Sequence, residues 1–274
     1  MAETNGGNFP YMKPKVCILR SDGTNCDEEL AYAFVKFGAE AEFIQINELR
    51  TRSKNLKNFQ ILALPGGFSY GDDLASGKVL AVELIEFLKN DLLEFLKNKG
   101  IIIGICNGFQ TLVRTGLLPY NNLGKMDITL AQNQNGRFEC RWVKVKTEYS
   151  KCKFLPPNLI MDIAVNHGEG KFYADTKLVE KIESDNLVIA RYVDAKGSQT
   201  QQYPDNPNGS INAIAGITDP TGRIIGMMPH PEKFVDITQH PNWRRQKFLP
   251  AGRQVVEPHG AIFFENLIKF VKSQ

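Results

Sequence analysis

One stretch of this chain decides its fold: Ile101-Ile102-Ile103-Gly104-Ile105-Cys106-Asn107-Gly108-Phe109-Gln110. Its apolar start predicts a buried strand, and the residues after the second glycine predict a helix. Between them lies a Gly-x-Cys-x-Gly turn, the pattern of a nucleophile elbow with cysteine in place of serine. The flanking glycines remove Cβ atoms that would clash in so sharp a turn. Because a helix N-terminus beneath the sulfur favours a thiolate, Cys106 is predicted to be a nucleophile, although the motif alone also occurs in ordinary tight turns.

A thiolate nucleophile needs a base and a group that orients the base. Among the four histidines, His230 stands in Met228-Pro229-His230-Pro231-Glu232, shortly after the apolar pair Ile224-Ile225. The prolines hold this segment extended, so that side chains two residues apart point to the same side. The sequence therefore predicts a triad of Cys106, His230 and Glu232. A His-x-Glu pair by itself is usually a chance arrangement of surface residues. Only its combination with the elbow indicates a catalytic site.

A glycine-rich loop follows a further predicted strand in Leu62-Ala63-Leu64-Pro65-Gly66-Gly67-Phe68-Ser69-Tyr70-Gly71-Asp72-Asp73. As a phosphate cradle it lacks the Lys-Ser/Thr ending of a P-loop and the spacing of a dinucleotide fingerprint. We interpret it as an oxyanion hole, in which the N–H groups of Gly66 and Gly67 act with that of Asn107. Gln110, one helical turn after the cysteine, is a candidate to bind a polar substrate, and an ordinary exposed glutamine is the equal alternative.

The alternation of elements in the first half predicts parallel strands with helices on both faces. Strands are expected at 16–19, 41–46, 60–64 and at the elbow, and helices at 27–37, at 74–97 with a break at Asn90-Asp91, and after the elbow as far as Gly116. The nucleophile would then lie at the C-terminal edge of the sheet, where doubly wound folds place their sites.

The second half no longer alternates strands with helices. Turns separate short predicted strands at 160–165, 187–192, 212–217 and 223–227. Phe138, Cys140 and Trp142 alternate with polar residues, which predicts a half-buried strand. Some antiparallel pairing beside the parallel strands is therefore expected, giving a mixed sheet. A last helix at 261–271 is expected to bury Ile262, Phe263, Leu267, Ile268 and Val271.

Composition narrows the functional class. The 274 residues carry a net charge of +3, which is too small to indicate nucleic-acid binding. Five cysteines without CxxC or metal-ligand spacing predict no metal site and fit a reducing, cytoplasmic location. Cys26 is ambiguous because it follows the first strand, and we favour a structural role for it. The polar start of the chain predicts a flexible tail over residues 1–14, with neither a signal peptide nor a membrane span.

Together these residues resemble class I (triad-type) glutamine amidotransferases. Four further segments are similar to the glutaminase subunits of phosphoribosylformylglycinamidine synthase, from about Lys15 to the C-terminus: Ser21-Asp22-Gly23-Thr24-Asn25-Cys26-Asp27, Gly66-Gly67-Phe68-Ser69-Tyr70-Gly71-Asp72, Asn135-Gly136-Arg137-Phe138-Glu139 and His167-Gly168-Glu169-Gly170. The resemblance implies a three-layer, flavodoxin-like α/β fold with a mixed, mostly parallel sheet. It also implies one glutamine amidotransferase type 1 domain over residues 15–274.

The same resemblance implies a role for each site residue. Cys106 would attack the side-chain amide of glutamine, His230 would move the protons, and Glu232 would orient His230. Gly66, Gly67 and Asn107 would hold the oxyanion. The glutamine would be bound by Gln110, by the backbone around Asn166, His167 and Gly168, and by Arg137 and Phe138.

The resemblance further implies partners. Ammonia would pass to a formylglycinamide ribonucleotide synthetase subunit, which would use ATP and magnesium to form the amidine in purine biosynthesis, and a small accessory subunit is a further candidate partner. No cofactor is expected in this chain itself. Residues 235–258 form an insertion whose basic, aromatic stretch Trp243-Arg244-Arg245 is either a docking segment or a solvated loop. Alternatives of another class are a γ-glutamyl hydrolase, protease or deglycase with the same elbow, and a binding subunit without activity.

Overall fold

The computed structural model describes residues 13–247 and 257–274. The strands of the described chain are β1 (Lys15–Arg20), β2 (Glu40–Gln45), β3 (Ile61–Leu64), β4 (Ile101–Ile105), β5 (Thr129–Ala131), β6 (Glu139–Thr147), β7 (Ile160–His167), β8 (Lys171–Tyr173), β9 (Val188–Val193), β10 (Ile214–Thr218) and β11 (Ile224–Met227). Its α-helices are α1 (Asp27–Lys36), α2 (Ile46–Arg50), α3 (Lys78–Lys97), α4 (Asn107–Thr115), α5 (Thr176–Ser184), α6 (Trp243–Lys247) and α7 (His259–Lys272).

One mixed sheet forms the centre of the molecule, with strand order β2-β1-β3-β4-β11-β10-β9-β6-β7. The strands from β2 to β11 are parallel to their neighbours, and those from β11 to β7 are antiparallel. The central strands β3, β4 and β11 consist of apolar residues and glycine and are buried along their whole length. This pattern is typical of strands covered on both faces, and the predicted α/β fold with a mixed sheet is confirmed.

The antiparallel half of the sheet curls back toward the parallel half. β7 is the edge strand, four places away from β11 in the sheet, yet Ala164 of β7 accepts a hydrogen bond of 2.9 Å from the His230 N–H just beyond β11. The twist of neighbouring strands accumulates in this way across a sheet. As a result the end of β7 lies beside the ends of β4 and β11.

Helices cover both faces of the sheet. α3 packs against α4, and α1 packs against α7 through an edge-to-face contact of Phe34 with Phe264, whose ring centroids are 5.1 Å apart. Such aromatic pairs add stabilisation beyond the area that they bury. Within the described residues, no helix is long and apolar enough to cross a membrane.

Three details of the predicted elements were wrong. α3 begins at Lys78 and runs without a break through Asn90 and Asp91, because a continuous apolar stripe holds it on the sheet and Asp91 pairs with Arg52. In α7, Phe264 is buried whereas Ile262 and Val271 are only partly covered.

The third correction concerns β6, whose more deeply buried face is the opposite of the predicted one, although Trp142 on the predicted face is half-buried against His240. Phe138 and Cys140 are exposed, and the buried positions of the strand are Glu139, Val143, Val145 and Thr147. Glu139 can face inward because Arg141 and Asn135 both pair with its carboxylate. A buried charge with such partners breaks the simple alternation of apolar and polar residues.

The predicted boundaries fall partly outside the described residues. Of the tail over residues 1–14, only Lys13 and Pro14 are described, and the Pro14 carbonyl accepts a hydrogen bond of 2.8 Å from Glu40. Within the insertion 235–258, Asp236 pairs with Lys36, and His240 is buried against Trp142 with ring centroids 4.4 Å apart. The first part of the insertion is thus packed on the body of the domain.

Candidate active site

Cys106 stands at the sharp turn between β4 and α4. Its φ of 53° and ψ of −105° lie outside the regions that side chains ordinarily occupy, as expected for a strained elbow. A Cβ atom at Gly108 would overlap the carbonyl of Leu64 at the end of β3, so only glycine fits there. The cysteine is 4% exposed, and it is the N-cap residue of α4. The sequence pattern therefore predicted the local geometry of this turn correctly.

His230 and Glu232 lie beside this cysteine, as the sequence predicted. The Glu232 Oε1 atom is 2.5 Å from His230 Nδ1, and both side chains are fully buried. The carboxylate therefore fixes the orientation of the imidazole and leaves its other nitrogen, Nε2, for chemistry. A Cβ atom placed on Gly66 would be 2.7 Å from His230 Cε1 and 3.4 Å from Cys106 Cβ, so the imidazole and the nucleophile flank the same glycine.

The electrostatics of the site favour a charged imidazole. Burial opposes the protonated form of His230, but the Glu232 carboxylate and the Cys106 sulfur outweigh it and hold the pKa of His230 well above its ordinary value. A protonated imidazole beside sulfur stabilises a thiolate. The arrangement can therefore hold an ion pair of thiolate and imidazolium, which is the reactive form of a cysteine nucleophile.

The glycine-rich loop lies where an oxyanion hole would be needed. Gly66 is adjacent to the nucleophile, and its carbonyl points away, accepting hydrogen bonds from the N–H groups of Asn25 and Cys26. Among the described residues, no hydrogen-bond acceptor pairs with the N–H groups of Gly66 or Asn107. Gly67 continues the loop and forms an isolated bridge with Thr24. Free N–H groups beside a nucleophile suit a developing oxyanion.

Asn107 ties the glycine-rich loop to the elbow helix through its side chain. Its Nδ2 atom donates to Asp72 and to Gln110, both at 3.0 Å, and its Oδ1 atom accepts from the Ser69 N–H at 3.2 Å. Asp72 in turn accepts from Ser76 and Gly77 at the start of α3. These buried bonds fix the two sides of the predicted oxyanion hole relative to each other.

The opposite wall of the site comes from the end of β7. The Asn166 carbonyl accepts a hydrogen bond of 3.2 Å from Cys106 Sγ, which places this backbone directly over the nucleophile. Gln110 donates to the Glu169 carbonyl at 2.5 Å, so its amide supports the turn that begins at Gly168. The His167 side chain is buried, and its Nδ1 atom lies 3.0 Å from Asn133 Oδ1. The structure thus brings the backbone at Asn166 to Cys106 and buries the imidazole of His167 in the interior.

Arg137 and Phe138 lie at the mouth of the site rather than beside the sulfur. Both are exposed, and the Phe138 ring is 6.2 Å from the Phe68 ring of the glycine-rich loop. A Cβ atom on Gly168 would be 3.8 Å from the Phe138 ring. The two aromatic rings therefore line the entrance between the glycine-rich loop and the wall.

Two residues of the site were not predicted from the sequence. Asn133 is 2% exposed and donates to the carbonyls of Arg137 and His167, both at 2.8 Å, while its Oδ1 atom meets His167 Nδ1 and the Gly170 N–H. Nothing in its sequence neighbourhood indicates this role. Cys26, for which a structural role was favoured, has its sulfur within 4.8 Å of a ring nitrogen of His230 and a carboxylate oxygen of Glu232. Its position after β1 was the one signal that pointed to the site.

Comparison with known proteins agrees with this geometry. The family model of the CobB/CobQ-like glutamine amidotransferase domain matches residues 13–271. The phosphoribosylformylglycinamidine synthase subunit PurQ of Dehalococcoides mccartyi is 44% identical over 261 residues, which cover 95% of this chain and 98% of the relative. The subunit of the same name from Methanococcus maripaludis is 40% identical over 96% of this chain and 97% of its own length.

A solved structure extends the likeness to three dimensions. A chain of PurLQS from Thermotoga maritima superposes with a TM-score of 0.69 at 27% identity, covering 94% of this chain and 100% of that chain. This match confirms the predicted flavodoxin-like fold of class I glutamine amidotransferases. The chain belongs to the CobB/CobQ-like glutamine amidotransferase domain family, and within it to the phosphoribosylformylglycinamidine synthase PurQ subunits.

Proposed function

We propose that this chain is the glutaminase subunit of a phosphoribosylformylglycinamidine synthase. It hydrolyses the side-chain amide of glutamine through a thioester on Cys106 and delivers ammonia to a synthetase subunit. The observation that carries this proposal is the strained elbow at Cys106 beside the buried His230–Glu232 pair, in a chain whose relatives over nearly its whole length are PurQ subunits.

The chemistry follows from the positions of the three side chains. The Cys106 thiolate attacks the amide carbon, and the oxyanion that forms is held by the N–H groups of Asn107 and of the Gly66-Gly67 loop. His230, protonated and oriented by Glu232, gives its proton to the departing ammonia. The imidazole then removes a proton from water, which attacks the thioester and releases glutamate. The proton thus passes through one imidazole in both half-reactions.

Glutamine binding is assigned to the wall and the mouth of the site. The backbone around Asn166, His167 and Gly168 lines the space beside the sulfur, and Gln110 holds that backbone in place through the Glu169 carbonyl. Arg137 is exposed at the mouth, where its charge suits the carboxylate end of the substrate. Phe138 borders the same entrance.

The identity of the partner is inferred from the names of the related proteins. The names of the relatives describe a subunit of a synthase, and PurLQS is named as an assembly that contains the Q component. We therefore propose that a cytoplasmic synthetase subunit receives the ammonia and uses ATP and magnesium to convert formylglycinamide ribonucleotide to its amidine. The insertion 235–258 remains a candidate docking segment for that subunit, and a small accessory subunit remains a further candidate partner.

The proposal is tested with the reconstituted complex. Cys106→Ala is expected to abolish amidine formation from glutamine while ammonium salts still support it, because the partner's chemistry does not need the thiol. Cys140→Ser, which removes an exposed thiol on β6, serves as the control for loss of a cysteine and should leave both activities unchanged. Full glutamine-dependent activity in the Cys106→Ala complex would exclude the proposed mechanism. Turnover of peptide or glyoxal-adduct substrates instead of glutamine would indicate another hydrolase with the same elbow.

A further inference from the structure

The open edge of β7 faces the catalytic residues. β7 is the last strand of the sheet, and among the described strands only β6 forms a ladder with it. On its other side, the Ala164 carbonyl accepts a hydrogen bond of 2.9 Å from the His230 N–H, and the Asn166 carbonyl accepts one of 3.2 Å from Cys106 Sγ. Carbonyls two residues apart on a strand point to the same side, so one strand edge contacts both the base and the nucleophile. The position of this edge therefore defines the space beside the sulfur.

Lys233 contacts the end of this edge from the segment that carries the base. It directly follows Glu232, in the short 3-10 turn Pro231–Lys233, and it is half-buried. With the Asn166 amide oriented so that both of its ends are satisfied, its oxygen accepts a hydrogen bond of 3.1 Å from Lys233 Nζ, and its nitrogen donates to the Val165 carbonyl at 3.0 Å. A half-buried ammonium needs a polar partner, and this amide provides one.

We propose that Lys233 is a positioning residue for the glutaminase reaction: its ammonium holds Asn166 and thereby keeps the end of β7 in place over Cys106. This inference rests on the proposed function, because the space beside the sulfur is where glutamine is placed. Two hydrogen bonds then hold the strand edge to residues 230–233. The one from the His230 N–H is a backbone bond that any side chain would leave possible. The one from Lys233 depends on a single side chain.

The contacts of Lys233 determine which kinetic parameter it should affect. Its ammonium is linked to the nucleophile only through Asn166, whose side chain it bonds and whose carbonyl accepts from Cys106. Loss of the ammonium leaves the bond between Glu232 and His230 in place, so the proton transfers should continue. Hydrogen bonds from a charged donor are stronger than neutral ones, so the strand end should shift when this one is lost. We therefore expect weaker glutamine binding with little change in the chemical step.

A double-mutant cycle in the reconstituted complex tests the link. Lys233→Met and Asn166→Leu should each raise the KM for glutamine by about ten-fold and keep kcat within about three-fold, because both lose a hydrogen bond from a charged group. The double variant should also show about a ten-fold increase, not about a hundred-fold one, because both changes break the same interaction. Lys233→Arg, which can still donate to the amide, should restore a KM near that of the wild type. Lys146→Met, at a half-buried lysine opposite the start of β7, is the control and should leave KM unchanged.

A second measurement does not depend on glutamine. Amide hydrogen exchange of the full chain, followed by mass spectrometry, should be faster at residues 164–168 in Lys233→Met and unchanged in β4 and α4, which misfolding could not imitate. If the wild-type complex does not use glutamine, the proposed function fails, and the exchange still shows whether Lys233 holds the strand.

Three results would overturn the role of Lys233. The first is a pair of KM effects that multiply in the double variant, and the second is unchanged exchange at residues 164–168 in Lys233→Met. The third is a lower kcat with a shifted pH–rate profile in Lys233→Met but not in Asn166→Leu, because the ammonium would then act on the nucleophile through its charge.

Discussion

The two sides of the catalytic cleft are built in different ways. On the elbow side, Cys106 and the glycine-rich loop are placed by contacts between the ends of neighbouring parallel strands, such as that of Gly108 with Leu64, and the Asn107 side chain adds buried hydrogen bonds between them. On the wall side, the backbone around Gly168 is placed by single side chains that bridge distant segments. The Asn133 side chain bonds both the Arg137 loop and the His167 strand end.

Because the two sides are built differently, we expect them to control different kinetic parameters. A tightly packed, strained turn positions the reacting atoms, so changes there should lower kcat. A wall that depends on buried hydrogen bonds shapes the substrate pocket, so changes there should raise KM and leave the chemical step nearly intact. Three variants test this division, in order of decreasing expected effect, and a fourth tests the buried, neutral state of His167.

Gly66→Ala should have the largest effect. The added methyl group would meet the buried His230 ring at 2.7 Å, and it would disturb the proposed oxyanion donors. We expect kcat to fall by about 10²–10³ in steady-state assays of the complex, the loss typical of a removed oxyanion donor. Gly168→Ala is the matched control on the wall, since its nearest neighbour would be 3.8 Å away and its kcat should be retained. Equal losses of kcat in both variants would contradict the division.

Glu232→Gln should lower kcat less than replacement of the nucleophile does. The amide can still accept a hydrogen bond from His230, but the charge that raises the pKa of His230 is lost. We expect a decrease in kcat of about 10²-fold or more, with the limb of the pH–rate profile assigned to His230 moved to lower pH. A profile that stays in place would show that Glu232 does not set this ionisation.

Asn133→Ala should act on binding. It removes the donor to the buried His167 carbonyl and to the partly buried Arg137 carbonyl. We expect the KM for glutamine to rise by about ten-fold while kcat changes less, because each buried hydrogen bond contributes roughly 1 kcal/mol. Asn98→Ala, an exposed asparagine at the end of α3, is the control. A loss confined to kcat would place Asn133 with the chemical machinery instead.

His167→Gln should have the smallest effect at neutral pH and a clear one in acid. Burial, and then the charge of His230, lower the pKa of His167 from 6.5 to about 3. Because the unfolded chain binds a proton there and the folded chain does not, stability falls as the pH drops from about 6.5 toward 3, by up to about 1.4 kcal/mol per pH unit. Urea unfolding at pH 7 and pH 5 should show a smaller decrease for the glutamine variant than for the wild type. An identical decrease would mean that His167 is not the buried neutral group described here.

The same contrast explains how far the sequence could predict the site. The elbow, its nucleophile and the His-x-Glu pair are carried by short motifs whose geometry is local, so Cys106, His230 and Glu232 were placed correctly together. The parallel strands followed from apolar runs. Asn133 gives no such signal. Three of the four atoms that bond its side chain belong to His167 and Gly170, more than thirty residues further along the chain.

A buried charge and the proximity of two strand ends account for the other differences between the predicted and the observed structure. The faces of β6 were assigned in reverse, because Glu139 is buried by pairing with Arg141, and hydrophobic alternation cannot reveal a paired charge. Cys26 comes near His230 because β1 and β11 end at the same edge of the sheet. Sequence spacing could not show this proximity, so a structural role was favoured for Cys26.

Covalent labelling by a glutamine-like chloroketone is the most direct test that Cys106 is the nucleophile of a glutaminase. The chain is labelled with its synthetase present and examined by intact-mass and peptide-level mass spectrometry. We predict one label per chain, located on Cys106 and prevented by excess glutamine, because the elbow presents its thiolate to the space where glutamine is proposed to bind. Labelling of Cys26 in place of Cys106, or labelling of Cys106 that glutamine does not prevent, would contradict the assignment of this cleft as a glutaminase site.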